Sequence, residues 1–287
     1  MDFDSIFRPG LFSGQTHVVT GGGSGIGRCT AHELSSLGAT LALVGRRAER
    51  LEAVRAEIEG AGGRAHAFPC DVRDEERVRE TVGAILAATG RIDGLVNNAG
   101  GQFAAPLAAT SGKGWDAVVR NNLGGGFLFS RECFLQWMSD HGGAIVNVVA
   151  DMWGSMPGMG HSGAARAGMV NLTGTAAVEW APNGVRVNAV APGWIASSGM
   201  DTYPDAMKPL IQSLPRHVPA ARLGTEAEVS AAIVFLLSEG AAFVSGACLR
   251  IDGAAPNARR HWMMAAGTPS PEFDGFHRSR KPRVLGG

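Results

Sequence analysis

Tyrosine is nearly absent from this chain of 287 residues: Tyr203 is the one example. Chemistry that depends on a phenol therefore has a single candidate. Cysteine is scarce too. Cys29, Cys70, Cys133 and Cys248 all stand more than forty residues apart, which leaves no C-x-x-C pair and no zinc spacing. Reduced, partly buried thiols in a cytosolic protein are the expectation. Neither sign of charge is in excess, with 26 Lys and Arg against 26 Asp and Glu. A nucleic-acid binder needs a basic surplus to displace phosphate counterions, and a membrane-surface protein needs polybasic segments, so neither partner is expected. No run of ~18 apolar residues is present, so no membrane span is expected. The opening MDFDSIFRPG has no basic stretch leading into an apolar one, and the closing RVLGG is not a peroxisomal tripeptide. The expected compartment is the cytoplasm.

Glycine, by contrast, is abundant at 41 residues, roughly twice its usual share. It has no collagen period and gathers in short clusters, where the backbone must turn tightly or approach a ligand. Between the clusters, short apolar runs alternate with helical patterns. Strands are expected at 17–20, 39–44, 65–69, 92–96, 144–149, 185–190 and 247–251. Helices are expected at 25–37, 48–59, 74–88, 114–138, 163–180 and 226–237. Strands apolar on both faces and separated by helices predict an α/β fold, a doubly wound Rossmann-type parallel sheet with helices on both faces. One domain spans 1–287, with its core at 13–253. Residues 196–223 form an insertion that suits a substrate lid. Residues 254–287 read as a disordered tail or an arm packed on a neighbouring subunit.

The first strand runs directly into Thr20-Gly21-Gly22-Gly23-Ser24-Gly25-Ile26-Gly27 and a helix. A strand–glycine loop–helix turn aims free N–H groups and the positive helix end at one point, which suits a pyrophosphate. Gly21, Ser24, Gly25, Ile26 and Gly27 are the candidate contacts. The tip of the second strand reads Val44-Gly45-Arg46-Arg47. A carboxylate there would bind the ribose 2′-OH of NAD; Arg46, helped by Arg47, points instead to the 2′-phosphate of NADP. Asp71 and Val72, after the third strand, could bracket the adenine.

Four motifs in chain order resemble the short-chain dehydrogenase/reductase family over roughly 13–253. They are the glycine loop, Asn97-Asn98-Ala99-Gly100, Asn122-Leu123-Gly124-Gly125-Gly126-Phe127, and Arg186-Val187-Asn188-Ala189-Val190-Ala191-Pro192-Gly193. The resemblance implies further cofactor contacts from Asn98, Ala99, Gly100, Pro192, Gly193, Ile195 and Ser197. It also implies paired helices across two-fold axes, hence a homotetramer or a dimer. The family's catalytic set of Ser, Tyr-x-x-x-Lys and Asn is altered here. Its serine position is Ala150, its tyrosine position Ser162 and its lysine position Arg166; Asn122 remains.

The segment His161–Gly168, Gly100-Gly101-Gln102-Phe103, Lys113-Gly114-Trp115 and the run from Trp137 to Gly143 are similar to peroxisomal trans-2-enoyl-CoA reductases. Related 2,4-dienoyl-CoA reductases also replace that tyrosine by serine but keep the lysine, where this chain has Arg166. The resemblance implies NADPH-dependent reduction of an activated C=C bond in an acyl-CoA thioester. Hydride goes to Cβ, charge gathers on the thioester oxygen, and donors at that oxygen replace a strong base. Arg166 is a candidate to bind the nicotinamide ribose, and so a cofactor contact, Ser162 to bind the ribose or the oxyanion, and Asn122 to hold a water or donate to the oxyanion. Tyr203, Asp151 or water is the expected proton source, Asp151 lying where dienoyl-CoA reductases place a catalytic tyrosine. Two alternatives stand beside this reading. One is a dehydrogenase of acyclic terpene alcohols such as citronellol. The other is a non-catalytic dinucleotide-binding scaffold.

Overall fold

The computed structural model describes residues 2–203, 205–258 and 268–287. Seven strands form one all-parallel sheet in the order β3-β2-β1-β4-β5-β6-β7. They are β1 (Thr16–Thr20), β2 (Thr40–Gly45), β3 (Arg64–Pro69), β4 (Gly94–Asn97), β5 (Gly143–Val148), β6 (Val185–Pro192) and β7 (Cys248–Ile251). Strands β1 and β4 are buried at every position, as a sheet covered on both faces requires. One face packs Leu34, Leu51, Ile58 and Ile233; the other packs Val82, Ile85, Phe129 and Met138. The parallel doubly wound sheet is the architecture the alternating pattern predicts. Its order reverses between β1 and β4, so a crevice opens at their carboxyl ends.

The helices are α1 (Gly25–Ser36), α2 (Ala48–Gly60), α3 (Glu75–Thr89), α4 (Gly112–Val119), α5 (Gly125–Cys133), α6 (Ser139–His141), α7 (Gly160–Glu179), α8 (Lys208–Ser213) and α9 (Glu226–Leu237). Local chemistry sets their ends. Asp74 accepts from the Arg77 N–H at 3.2 Å at the start of α3, and Gly90, at φ 74°, closes it. Thr225 and Glu228 form a capping box on α9.

The single helix expected at 114–138 is a continuous stretch, α4 to α6, carrying two π-helical turns at Arg120–Gly124 and Phe134–Met138. The first contains Asn122, the kind of local widening that often marks a functional position. Helix α7 begins three residues before the expected Gly163, which places His161 and Ser162 in its first turn.

The described part of the C-terminal segment is neither loose nor turned outward. Residues 268–287 pack on their own chain. Arg222 Nε donates to the Ser270 carbonyl at 2.9 Å and Thr225 Oγ1 to that of Phe273 at 2.6 Å. Val284 is buried with Met200, Ile211, Leu214 and Leu223 of the insertion. The apolar side chains of that segment find a surface within the chain, and that decides its course. All four cysteines are unpaired thiols.

Candidate functional site

The glycine loop is tied to the end of β4 by side-chain hydrogen bonds. Thr20 Oγ1 accepts from the Asn98 and Ala99 N–H groups, both at 3.0 Å, and Asn98 Nδ2 donates to the Thr20 carbonyl at 3.0 Å. A Cβ at Gly21 or Gly27 would lie 2.7 or 2.4 Å from Asn98 Nδ2, so both positions need glycine for this contact. Gly27 thus serves close packing and does not line the cavity beside the loop. Ser24 caps α1 with no side-chain hydrogen bond, and the first turn holds no acidic residue. Its N–H groups are left to an outside acceptor, and the helix end is electropositive.

A cavity of about 270 Å³ runs along this loop, from Arg46 and Arg47 past Ser24 and Ile26 to Gly100 and Ser197. Gly45 places no carboxylate at the β2 tip. Among the described residues neither arginine forms an ion pair or a side-chain hydrogen bond. Val72 lines the cavity, but Asp71 does not. Its carboxylate binds Arg73 Nε at 2.9 Å and Nη2 at 2.5 Å, and these bonds hold it below the usual carboxylate range. Asp71 is therefore turned to the outer surface by an arginine two residues on, and only Val72 of the expected adenine pair faces the cavity.

Pro192, Gly193 and Ile195 also lie outside the cavity lining. The Pro192 carbonyl accepts from the Asp151 N–H at 3.0 Å and the Gly193 N–H donates to Ile251 at 2.9 Å. Ile195 is bridged to Gly224 in the core. Their place in the fold is to brace the sheet edge behind Ser197.

At the other end lies the altered catalytic set. Arg166 Nη1 donates to the Val148 carbonyl at 2.6 Å, while its buried Nε has no partner. Burial pushes the guanidinium pKa down to about 10, so it stays charged at neutral pH. Gly100 admits it, because a Cβ there would sit 2.7 Å from Nη2. Asn122 is committed to one residue, Gly101. Its Oδ1 accepts from the Gly101 N–H at 2.8 Å and its Nδ2 donates to the Gly101 carbonyl at 2.9 Å. The expected roles of holding a water or an oxyanion therefore give way to clamping a loop.

Ser162 is fully buried. Its hydroxyl donates to Gln102 Oε1 at 2.7 Å, and Gln102 Nε2 donates to the Tyr203 phenol oxygen at 3.2 Å. Gln102 thus joins two expected site residues 41 positions apart in the chain, a link no spacing in the sequence signals. Asp151 stands apart from the other candidates. Its carboxylate accepts from the Trp153 N–H and feels the charges of Asp252 and Arg250. Burial raises its pKa, the direction a proton donor needs. None of its contacts, however, is to Ser162, Arg166, Asn122 or Tyr203, because the chain turns outward after β5.

The free N-terminus of α1, the long cavity and the orphaned Arg166 Nε together fit a dinucleotide lying across the switch point. Residues 21–254 match a family model described as enoyl-(acyl carrier protein) reductase. The chain belongs to the short-chain dehydrogenase/reductase family. As a member it is an oxidoreductase of a family that uses NAD(P). It is 37% identical to a Bacillus subtilis (strain 168) protein named "Probable 2,4-dienoyl-CoA reductase", over 82% of this chain and 94% of that one. A citronellol catabolism dehydrogenase of Pseudomonas aeruginosa PAO1 superposes with a TM-score of 0.80 at 62% identity, over 88% of this chain and all of that one. A Beutenbergia cavernae structure described as a "putative NAD(P) dependent gluconate 5-dehydrogenase", with NADP bound at low occupancy, has a TM-score of 0.81 at 33% identity. It spans 88% of this chain and 100% of its own.

Proposed function

We propose that this short-chain reductase uses NADPH to reduce the C=C bond of a trans-2-enoyl-CoA or dienoyl-CoA thioester. The observation that carries the reading is the replacement of the tyrosine–lysine couple. Ser162 is buried with its hydroxyl donating a hydrogen bond to Gln102, and Arg166 is a permanent cation, so neither can take a proton from an alcohol. Reduction of an enoyl thioester needs no such base. The names of the dienoyl-CoA reductase relatives support the same substrate class.

Arg46 and Arg47 would hold the 2′-phosphate, the N–H groups of Gly21–Ile26 the pyrophosphate, and Arg166 Nε the ribose on the nicotinamide side. The bound cofactor supplies the hydride for Cβ. Charge then gathers on the acyl oxygen, where the Tyr203 O–H is a donor whose own proton is uncommitted among the described contacts. Water provides the proton at Cα, so no side chain has to ionise.

The 62% identical citronellol catabolism dehydrogenase favours a second reading, turnover of acyclic terpenoid alcohols or aldehydes. Steady-state assays with crotonyl-CoA and NADPH, beside citronellol and NADP⁺, decide between them. Good citronellol oxidation with no thioester reduction overturns the first reading; activity on neither substrate counts against both. Assembly as a homotetramer, or failing that a dimer, accords with exposed Phe127, Leu135 and Val178 on the long helix and α7. A light-scattering mass near one chain, 29.8 kDa, would rule it out.

A further inference from the structure

We infer that Gln102 is the positioning residue of this site: Ser162 acts on the substrate only through it, and its amide orients the Tyr203 hydroxyl. Ser162 has no exposed surface, whereas Gln102 stands at the exposed rim directly over it. A substrate oxygen entering from the crevice meets Gln102 and Tyr203 before it can meet Ser162.

The neighbours of Gln102 are pinned on both sides. Gly101 is held at its N–H and its carbonyl by Asn122. The Phe103 ring meets the His161 ring edge-on, with centroids 4.4 Å apart, and His161 Nδ1 accepts from the Ser162 N–H at 2.7 Å. Two residues further on, the Ala105 N–H donates to the Gly158 carbonyl at 2.8 Å. The side chain between these anchors can therefore be held in one direction without a large loss of freedom on substrate binding.

An amide does not pass protons along; it fixes which partner donates and which accepts. Gln102 Oε1 accepts the hydrogen bond from the Ser162 hydroxyl, which leaves Nε2 to donate to Tyr203. The phenol oxygen then accepts from Gln102, and its own O–H is turned outward as a donor. The insertion that carries Tyr203 is in this way keyed to the first turn of α7. The kinetic side of this inference rests on the reductase reading; the geometric side does not.

The single tyrosine makes the test direct. Replacing it with 3-fluorotyrosine gives one ¹⁹F resonance, which reports Tyr203 alone whether or not any substrate turns over. Gln102→Leu, Gln102→Glu and Ser162→Ala are each expected to move that resonance by more than its linewidth, with melting temperatures close to wild type. Glutamate keeps the acceptor for Ser162 but has no N–H for Tyr203. With crotonyl-CoA and NADPH, Gln102→Glu should lower kcat by roughly 10–100-fold with NADPH affinity unchanged. An unmoved resonance in Gln102→Leu overturns the contact with Tyr203. A shift in Gln102→Leu without one in Ser162→Ala overturns the coupling to α7. Full kcat in Gln102→Glu overturns the direction of the bonds. Loss of the reductase reading alone would show as activity on citronellol with all three resonance shifts intact.

Discussion

Gly100→Ala adds a methyl group directly against two side chains of the site. The new Cβ would lie 2.7 Å from Arg166 Nη2 and 3.0 Å from Asn122 Oδ1. Neither neighbour yields freely. Arg166 is tied to the Val148 carbonyl at 2.6 Å, and Asn122 holds Gly101 twice. Overpacking of this kind costs about 1–3 kcal/mol. Displacing the guanidinium also forfeits a charge-assisted hydrogen bond of about 1.5–3 kcal/mol. The strain falls on the group proposed to meet the cofactor ribose. The expected result is NADPH binding weakened by ~10–100-fold, the equivalent of about 1.4–2.7 kcal/mol, with a lower melting temperature. Quenching of NADPH fluorescence and thermal denaturation measure the two effects. Gly101→Ala is the control, since its Cβ would meet only Asn121 Nδ2, at an ordinary 3.6 Å. Equal NADPH affinity in Gly100→Ala and Gly101→Ala would show that Arg166 is not displaced from the cofactor.

Three further outcomes are expected. Arg46→Ala should weaken NADPH binding by about 1.5–3 kcal/mol while leaving NADH nearly unaffected; equal wild-type affinities for NADPH and NADH would remove the basis for the phosphate clamp. Burial, assisted by Asp274 and opposed by Arg28, pushes the Glu226 pKa from 4.5 up to about 7, so its stabilising contribution is present below 4.5 and lost as pH rises through about 7. Glu226→Gln should therefore stabilise the fold at pH 8 relative to pH 5 by about 2–3 kcal/mol, and parallel wild-type and variant melting curves across that range would contradict it. Val284→Asp puts a charge among Met200, Ile211 and Leu214, beneath the segment bearing Tyr203. It should lower kcat/KM by at least tenfold with NADPH affinity retained, whereas unchanged kinetics would show that the C-terminal segment does not support the site.

Contiguous sequence was enough for the sheet and for the glycine loop. Val18 and Val19 are apolar in both directions because each faces a layer of helices, and that pattern is visible in any window of a few residues. Gly21 and Gly27 follow from the short reach of one turn. Exchange of tyrosine and lysine for Ser162 and Arg166 was likewise legible, because the spacing that defines those positions lies within one helix. What the replaced residues touch was not. The turn of Asp71 toward Arg73, the commitment of Asn122 to Gly101 and the burial of Ser162 beneath Gln102 each depend on which hydrogen-bond partner is nearest in space. The course of residues 268–287 depends on apolar surfaces assembled from the insertion, around Val284, and from Phe3, Cys29 and Ala227, around Phe276. Patterning fixes which face of an element is buried; only the packed chain decides which polar atoms meet, because most buried donors and acceptors are paired and the partners come from distant segments.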